Sequence, residues 1–319
     1  MTQTRKAEGH IPKFTLAMLH PRYWPVWLGL LLVALVAFLP HRVRDALAGK
    51  VGRAVGRVAK SQRRRAAINL SYCFPVLSDA EREVLIDKTF ATAAQVMLAM
   101  AELALRSKSF LDSRTRFIGF EHVEQVKASG RNIIFMVPHA WAIDFPGIIM
   151  ASKGMPIAAM FNPHRNPLVD WIWNSVRLRF GGRLHTRQDG IKAFLSSVRQ
   201  GYCGYYLPDQ DHGAEKSEFV DFFATYKATL PGLGKMMKVC NAAVIPLFPV
   251  YNSQEGVFEM HIRPPMDDLQ DAEPAVAARR MNEEIEILVK PNPEQYIWIL
   301  KLLKTRREGE IEPYSRTDL

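Results

Sequence analysis

Residues 132–144 read NIIFMVPHAWAID. Five apolar residues, Ile133 to Val137, follow Asn132 and stop at Pro138. A short continuous apolar run ended by a proline reads as a buried strand, here Asn132–Val137. His139 stands just beyond it, with Asp144 five positions on. In open α/β sheets, ligands collect beyond the carboxyl ends of strands. His139 is therefore a candidate for chemistry as well as for packing.

Similar runs recur downstream. Ile157–Phe161 reads as a strand, Tyr205–Leu207 as a brief one entering a polar loop, and Ala243–Val250 and Val257–Ile262 as two more. Between them lie helical patterns at Leu168–Arg179, stopped by Gly181 and Gly182, and at Ile191–Arg199, ended by Gly201. Leu230–Cys240 reads as a helix capped by Thr229 with Pro231 in its first turn. Two helices, around 274–289 and 293–303, close the chain. Upstream, residues 79–106 form a long helical stretch that Ser78 or Asp79 would cap. This alternation predicts an α/β fold, a mixed sheet flanked by helices.

The 319 residues are 48% apolar, which excludes a disordered chain. Cys73, Cys203 and Cys240 form no CxxC pair, so neither a disulfide framework nor a zinc ribbon is expected. The net charge of +10 is concentrated. Residues 1–70 hold 13 Lys plus Arg against 2 Asp plus Glu, and the rest of the chain is close to neutral. Nucleic acid, an anionic membrane and an acidic protein are the partners such a balance allows. No RNP, KH or zinc-finger pattern supports the first.

Residues 23–40, YWPVWLGLLLVALVAFLP, carry no charge. As a helix these 18 residues would reach about 27 Å, just short of the ~30 Å hydrocarbon core. Tyr23, Trp24 and Trp27 at one end resemble an interfacial aromatic belt. A buried core helix is the alternative. Residues 41–75 follow as a basic amphipathic region, with Val43, Leu47, Val51, Val55 and Val58 on one stripe and Arg53, Arg57, Lys60 and Arg64 on another. Such a helix lies on anionic lipid or packs on the body with its basic face in water. The excess of basic residues after the apolar run predicts a cytoplasmic body, anchored in single-pass or monotopic fashion. The expected organisation is a basic tail at 1–22, a membrane helix at 23–40, the basic amphipathic region at 41–75 and an α/β body at 76–319.

Five residues along a helix rotate by about 500°, so His139 and Asp144 cannot meet on one helical face. They meet if His139 lies on a turn and Asp144 in or near the next helix. The carboxylate then fixes the imidazole tautomer and supports the imidazolium. The following helix amino terminus could offer backbone N–H groups to an oxyanion. No GxSxG elbow occurs and no cysteine neighbours His139, so the base would activate a substrate hydroxyl directly, without an acyl-enzyme. Arg177, Arg179 and Arg183 form a second cluster suited to phosphate, or a basic helix end. Asp209 and Asp211, in PDQDHG, form a third. A DxD pair of this kind also suits a divalent cation beside a sugar nucleotide, as in a metal-dependent glycosyltransferase. Trp171 and Trp173 line a groove or pack in the core.

HAWAID matches the HxxxxD box of glycerolipid-type acyltransferases. Further blocks are His20–Gly29, Ile68–Pro75, Val137–Asp144, Phe161–Arg183, Tyr205–Gly213, Phe219–Gly232 and Glu294–Arg306. In these the chain resembles the late acyltransferases of lipid A assembly over nearly its whole length, most closely those that add a myristoyl chain last. The resemblance implies a glycerolipid-acyltransferase-like fold and an inner-membrane enzyme facing the cytoplasm. It implies transfer of a myristoyl or similar chain from acyl carrier protein to a hydroxyl on a 3-hydroxyacyl chain of a Kdo-bearing, lauroylated lipid A precursor. Lauroyl-type or glycerophospholipid acyl transfer is the neighbouring alternative. His139 would be the general base and Asp144 its orienting partner. Arg177 and Arg179 would contact substrate, and Asp209 and Asp211 would position it. No cofactor and no metal are expected.

Overall fold

The computed structural model describes residues 9–315. In chain order its strands are Thr115–Ile118 (β1), Asn132–Met136 (β2), Ile157–Phe161 (β3), Arg183–Thr186 (β4), Cys203–Tyr206 (β5), Glu218–Phe222 (β6), Thr225–Thr229 (β7), Ala242–Asn252 (β8) and Val257–Ile262 (β9). Seven of them form one sheet in the order β1-β9-β8-β2-β5-β3-β4, and β6 and β7 form a separate hairpin. Within the large sheet β8 and β9 run antiparallel and every other neighbouring pair is parallel. The sheet is mixed, as the alternation of patterns predicts.

The first helices are Trp24–Val36 (α1), His41–Val58 (α2), Lys60–Cys73 (α3), Asp79–Ala99 (α4), Ala101–Leu105 (α5) and Lys108–Ser113 (α6). Glu121–Ala128 (α7), Asp144–Ser152 (α8), Pro167–Arg177 (α9), Gly190–Arg199 (α10), Leu233–Cys240 (α11) and Pro274–Val289 (α12) follow. Successive strand residues point to opposite faces. Ile134 and Met136 accordingly join one core with α3, α10, α11 and α12, while Ile133, Phe135 and Val137 join the other with α7 and α8. A central strand covered on both faces needs no polar alternation, which is why β2 reads as an unbroken apolar run.

Three readings of the sequence change. Thr229 ends β7 and does not cap a helix; α11 starts at Leu233 after Gly232. Residues 293–303 are not helical beyond a single turn at Pro293–Gln295. Trp298, Leu302 and Leu303 are buried there, and irregular backbone places them in one core with residues of α3, α11 and α12. The 79–106 stretch is two helices meeting at Met100, and its cap is Ser78, which exchanges hydrogen bonds with Glu81 in a capping box.

The amino-terminal region also differs from its reading. The apolar helix α1 has 13 residues and is about 20 Å long, well short of a hydrocarbon core. It is exposed along its length, with Leu28, Leu31, Leu32 and Leu35 each more than half accessible. The longest apolar helical stretch, Asp79–Leu105, is long enough to cross a membrane, but 44% of its most apolar window is buried in the body. Helix α2 packs on α4 through small residues. A Cβ on Gly52 would strike the Phe90 carbonyl oxygen, and one on Gly56 the Phe90 ring. Its valine and leucine stripe faces outward, with Val43, Leu47, Val51, Val55 and Val58 50–77% exposed. Arg44 pins the helix from beneath: its guanidinium donates to Asp45 at 2.8 Å, to Tyr251 Oη at 2.5 Å and to Glu102.

Candidate active site

Strands β2 and β5 are parallel neighbours with Met136 opposite Tyr206. Three residues beyond each lie His139 and Asp209, so the register alone brings them together. His139 Nδ1 is 2.5 Å from Asp209 Oδ1, and the His139 backbone N–H donates to Oδ2 at 2.7 Å. The Tyr296 hydroxyl donates to the same Oδ2 at 2.8 Å. Buried Lys227 donates from Nζ to the Asp209 carbonyl oxygen at 2.9 Å. Asp209 is fully buried, and His139 is 9% exposed.

The electrostatics keep this carboxylate charged. Burial disfavours the ionised form of Asp209, but attraction to His139 and the hydrogen bonds from His139 and Tyr296 outweigh it and hold the carboxyl below its ordinary value. Burial, with Asp209 adding to it, pushes the Tyr296 phenol well above its usual range, so it stays a donor. The Lys227 ammonium is lowered by burial, against the pull of Asp209 and Asp211. An ionised carboxylate only accepts, so Nδ1 carries the proton. Nε2 is turned away from Asp209 toward Gln210, and it is the nitrogen that could act as a general base.

Asp144 has other partners. It opens α8 and turns toward α9, where Trp173 Nε1 donates to it at 2.7 Å and Arg177 forks onto it at 2.8 and 3.2 Å. The carboxylate on the imidazole is thus Asp209, not Asp144 as the spacing suggested. Arg177 is the last residue of α9 and faces α8, whereas Arg179 lies in the turn beyond the helix end. Arg179 faces the opposite way, donating to the carbonyl oxygens of Leu103 at 2.5 Å and Arg106 at 2.8 Å. These bonds tie down the end of α5. Arg183 holds Gln200 at 2.6 Å. The Asp211 carboxylate accepts from the Thr305 amide and hydroxyl, both at 2.6 Å, and so fastens the carboxyl-terminal segment. Asp209 and Asp211 aim at different partners and do not converge on a common point. Among the described residues, no group of three His, Cys, Asp or Glu side chains is arranged to hold a metal ion. Trp171 packs with Phe14 and Trp27 of the amino-terminal segment.

Two cavities adjoin the site. An apolar one of about 90 Å³ runs between α8, β3 and β4, lined by Gly147, Ile148, Ile157 and Leu184, with Asp144 and Arg177 on its wall. A second, more polar one of about 280 Å³ has a mixed lining, with Asn162, Arg187, Gln210 and His212 beside Phe194 and Tyr206. They share Arg177, Met160, Phe161, Tyr205 and Leu207. Sequence reasoning missed Tyr296, Lys227 and Arg187, and it took in Gln210 only as the middle of the Asp209-Gln210-Asp211 cluster. One signal was available: Val137-Pro138-His139 and Leu207-Pro208-Asp209 are twin strand endings, apolar residue, proline, titratable residue.

A family model described as bacterial lipid A biosynthesis acyltransferase matches residues 11–305. The lipid A biosynthesis myristoyltransferase of Escherichia coli (strain K12) is 57% identical over 310 residues, covering 97% of this chain and 96% of that one. A lipid A biosynthesis acyltransferase of Haemophilus influenzae is 58% identical over 302 residues, 95% and 94% of the two chains. The lipid A biosynthesis lauroyltransferase of Escherichia coli (strain K12) is 31% identical over 303 residues, 94% and 98% of the two chains.

Proposed function

Because the chain belongs to the bacterial lipid A biosynthesis acyltransferase family and is therefore an acyltransferase, we propose that it transfers a myristoyl chain from acyl carrier protein to a hydroxyl of a 3-hydroxyacyl chain on a Kdo-bearing, lauroylated lipid A precursor. The 57% identity to a named myristoyltransferase, against 31% to a lauroyltransferase, favours this chain over its neighbours. The observation that carries the chemistry is the His139–Asp209 pair at 2.5 Å, with Gln210, which lines the larger cavity, against His139 Nε2.

In this reading His139 Nε2 accepts the acceptor hydroxyl's proton as the oxygen attacks the thioester carbonyl. Asp209 holds Nδ1–H and stabilises the imidazolium that forms. The tetrahedral centre collapses, the C–S bond breaks, and the thiolate takes the proton from Nε2. No acyl-enzyme is formed. The acyl chain enters the apolar cavity past Asp144 and Arg177. At about 90 Å³ this space is smaller than the ~150 Å³ cavity that accepts benzene, so a long chain widens it on entry. Arg177, paired with Asp144 and facing both cavities, keeps a cation at the polar end of the chain.

The exposed apolar faces of α1 and α2, with exposed Arg53, Arg57 and Lys60 beside them, support a monotopic seat on the cytoplasmic face of the inner membrane. Their cationic charge also suits an acidic carrier protein. The test is mass spectrometry of lipid A precursors incubated with the protein and acyl carrier proteins of several chain lengths. The expected product is a lauroylated precursor gaining one ester-linked fourteen-carbon chain. Equal use of all donors, or no product, would overturn the assignment.

A further inference from the structure

Gln210 is hydrogen-bonded to the imidazole on the side that Asp209 leaves. Its Nε2 is 3.4 Å from His139 Nε2. Its orientation is dictated from behind, where Arg187 Nη2 donates to Gln210 Oε1 at 2.6 Å. A guanidinium has only donors, so the amide oxygen must face Arg187 and the NH₂ group must face His139. Arg187 is itself held in place: it opens a 3-10 turn after β4, locked by the reciprocal hydrogen bonds of Thr186 and Asp189. Both Gln210 and Arg187 line the polar cavity.

This places a preoriented donor where charge would develop. When the hydroxyl oxygen bonds to the thioester carbon, its proton moves to His139 Nε2 and the carbonyl electron pair moves onto the carbonyl oxygen. That oxyanion and the attacking oxygen sit on one carbon. Two nitrogens 3.4 Å apart can serve the two oxygens together. The nearby backbone offers less than the sequence suggested. The amides of Trp141, Ile143 and Phe145 already donate to the carbonyl oxygens of Gln295, Ala140 and Ala142.

Resting on the acyl-transfer reading above, we infer that the Gln210 side-chain amide is the oxyanion donor of this site, a catalytic residue, and that Arg187 is its positioning residue. The thiolate that leaves takes its proton from the imidazolium, so atoms and charge balance with no further group.

The experiment compares kcat and KM across pH for the full chain in detergent, with myristoyl carrier protein and lauroylated precursor, folding checked by circular dichroism. Gln210→Ala is expected to lose about 10²–10³ in kcat with both KM values within about threefold. Gln210→Glu is expected to lose as much and, by placing an anion at Nε2, to move the acid limb of the kcat profile up by about one unit or more. Arg187→Ala should lose kcat less severely, and Arg187→Lys should recover part of it. A kcat for Gln210→Ala within threefold of wild type, or an unmoved acid limb in Gln210→Glu, would overturn the inference. His139→Ala in the same assay separates the two levels. Loss there with retention in Gln210→Ala overturns the donor assignment alone, and retention in both overturns the acyl-transfer mechanism as well.

Discussion

Asp209→Asn isolates the role of one carboxylate. Asp209 Oδ2 accepts two hydrogen bonds, from the His139 amide at 2.7 Å and from Tyr296 Oη at 2.8 Å, whereas Oδ1 meets only the imidazole. Asparagine has one oxygen and one NH₂ group. Its oxygen must take the Oδ2 position, because a buried NH₂ there would face a backbone donor. The NH₂ then points at Nδ1, which has to accept. The imidazole proton moves to Nε2, and the lone pair that should receive the hydroxyl proton is gone. The geometry survives and the tautomer is wrong. In the serine protease triad the same change costs about 10⁴ in kcat, and removing a general base elsewhere costs about 10²–10⁴. A fall of 10²–10⁴ in kcat is expected here, about 3–5 kcal/mol in the barrier, with KM changed little. The assay is initial-rate transfer from acyl carrier protein in detergent, with ¹⁵N-edited NMR of the imidazole to read the tautomer. Asp144→Asn, run in parallel, should leave the tautomer untouched. An Asp209→Asn variant within tenfold of wild type, with the tautomer unchanged, would refute the pairing argument.

Other consequences are open to measurement. Gly147 lines the apolar cavity, and a Cβ there would lie 3.8 Å from the Ile157 side chain; Gly147→Leu should shift donor preference toward shorter chains by tenfold or more, and an unchanged preference in a mixed-donor assay would move the acyl chain elsewhere. Charging the outward stripe of α2 with Val51→Asp and Val55→Asp should weaken sedimentation with anionic vesicles at least tenfold while leaving the melting temperature and detergent activity near wild type; full vesicle binding would place the membrane contact on another face. The depressed Asp209 carboxyl predicts a pH signature. Its stabilisation is present above the ordinary carboxylate pKa of about 4 and is lost as pH falls through its lower folded value. The stability gap between wild type and Asp209→Asn in urea unfolding should close on acidification below pH 4; a gap that widened there would contradict it.

The fold was legible where burial is two-sided. Asn132–Met136, Ile157–Phe161 and Val257–Ile262 announce themselves because a strand sandwiched between helices must be apolar throughout or alternate cleanly. The β6–β7 hairpin was illegible because its Lys227 is buried in service of Asp209, a polar residue where the pattern demands an apolar one. The 293–303 run misled in the other direction. Its apolar residues serve a loop whose backbone braces the site, with the Ile297 amide donating to the His139 carbonyl oxygen at 2.9 Å. The histidine was readable from its place after a strand. Its partner was not, because Asp144 is near in sequence while Asp209 is near only through the β2–β5 register. Arg177 and Arg179 look equivalent in a string of letters and diverge because α9 ends at Arg177 and leaves Arg179 in the turn beyond it.

The most direct test of the account is the rate of acyl transfer by folded His139→Ala, measured in a single turnover with saturating myristoyl carrier protein and lauroylated precursor. A loss of about 10²–10⁴-fold is expected, with vesicle binding and melting temperature preserved. Near-normal transfer by that variant would contradict it.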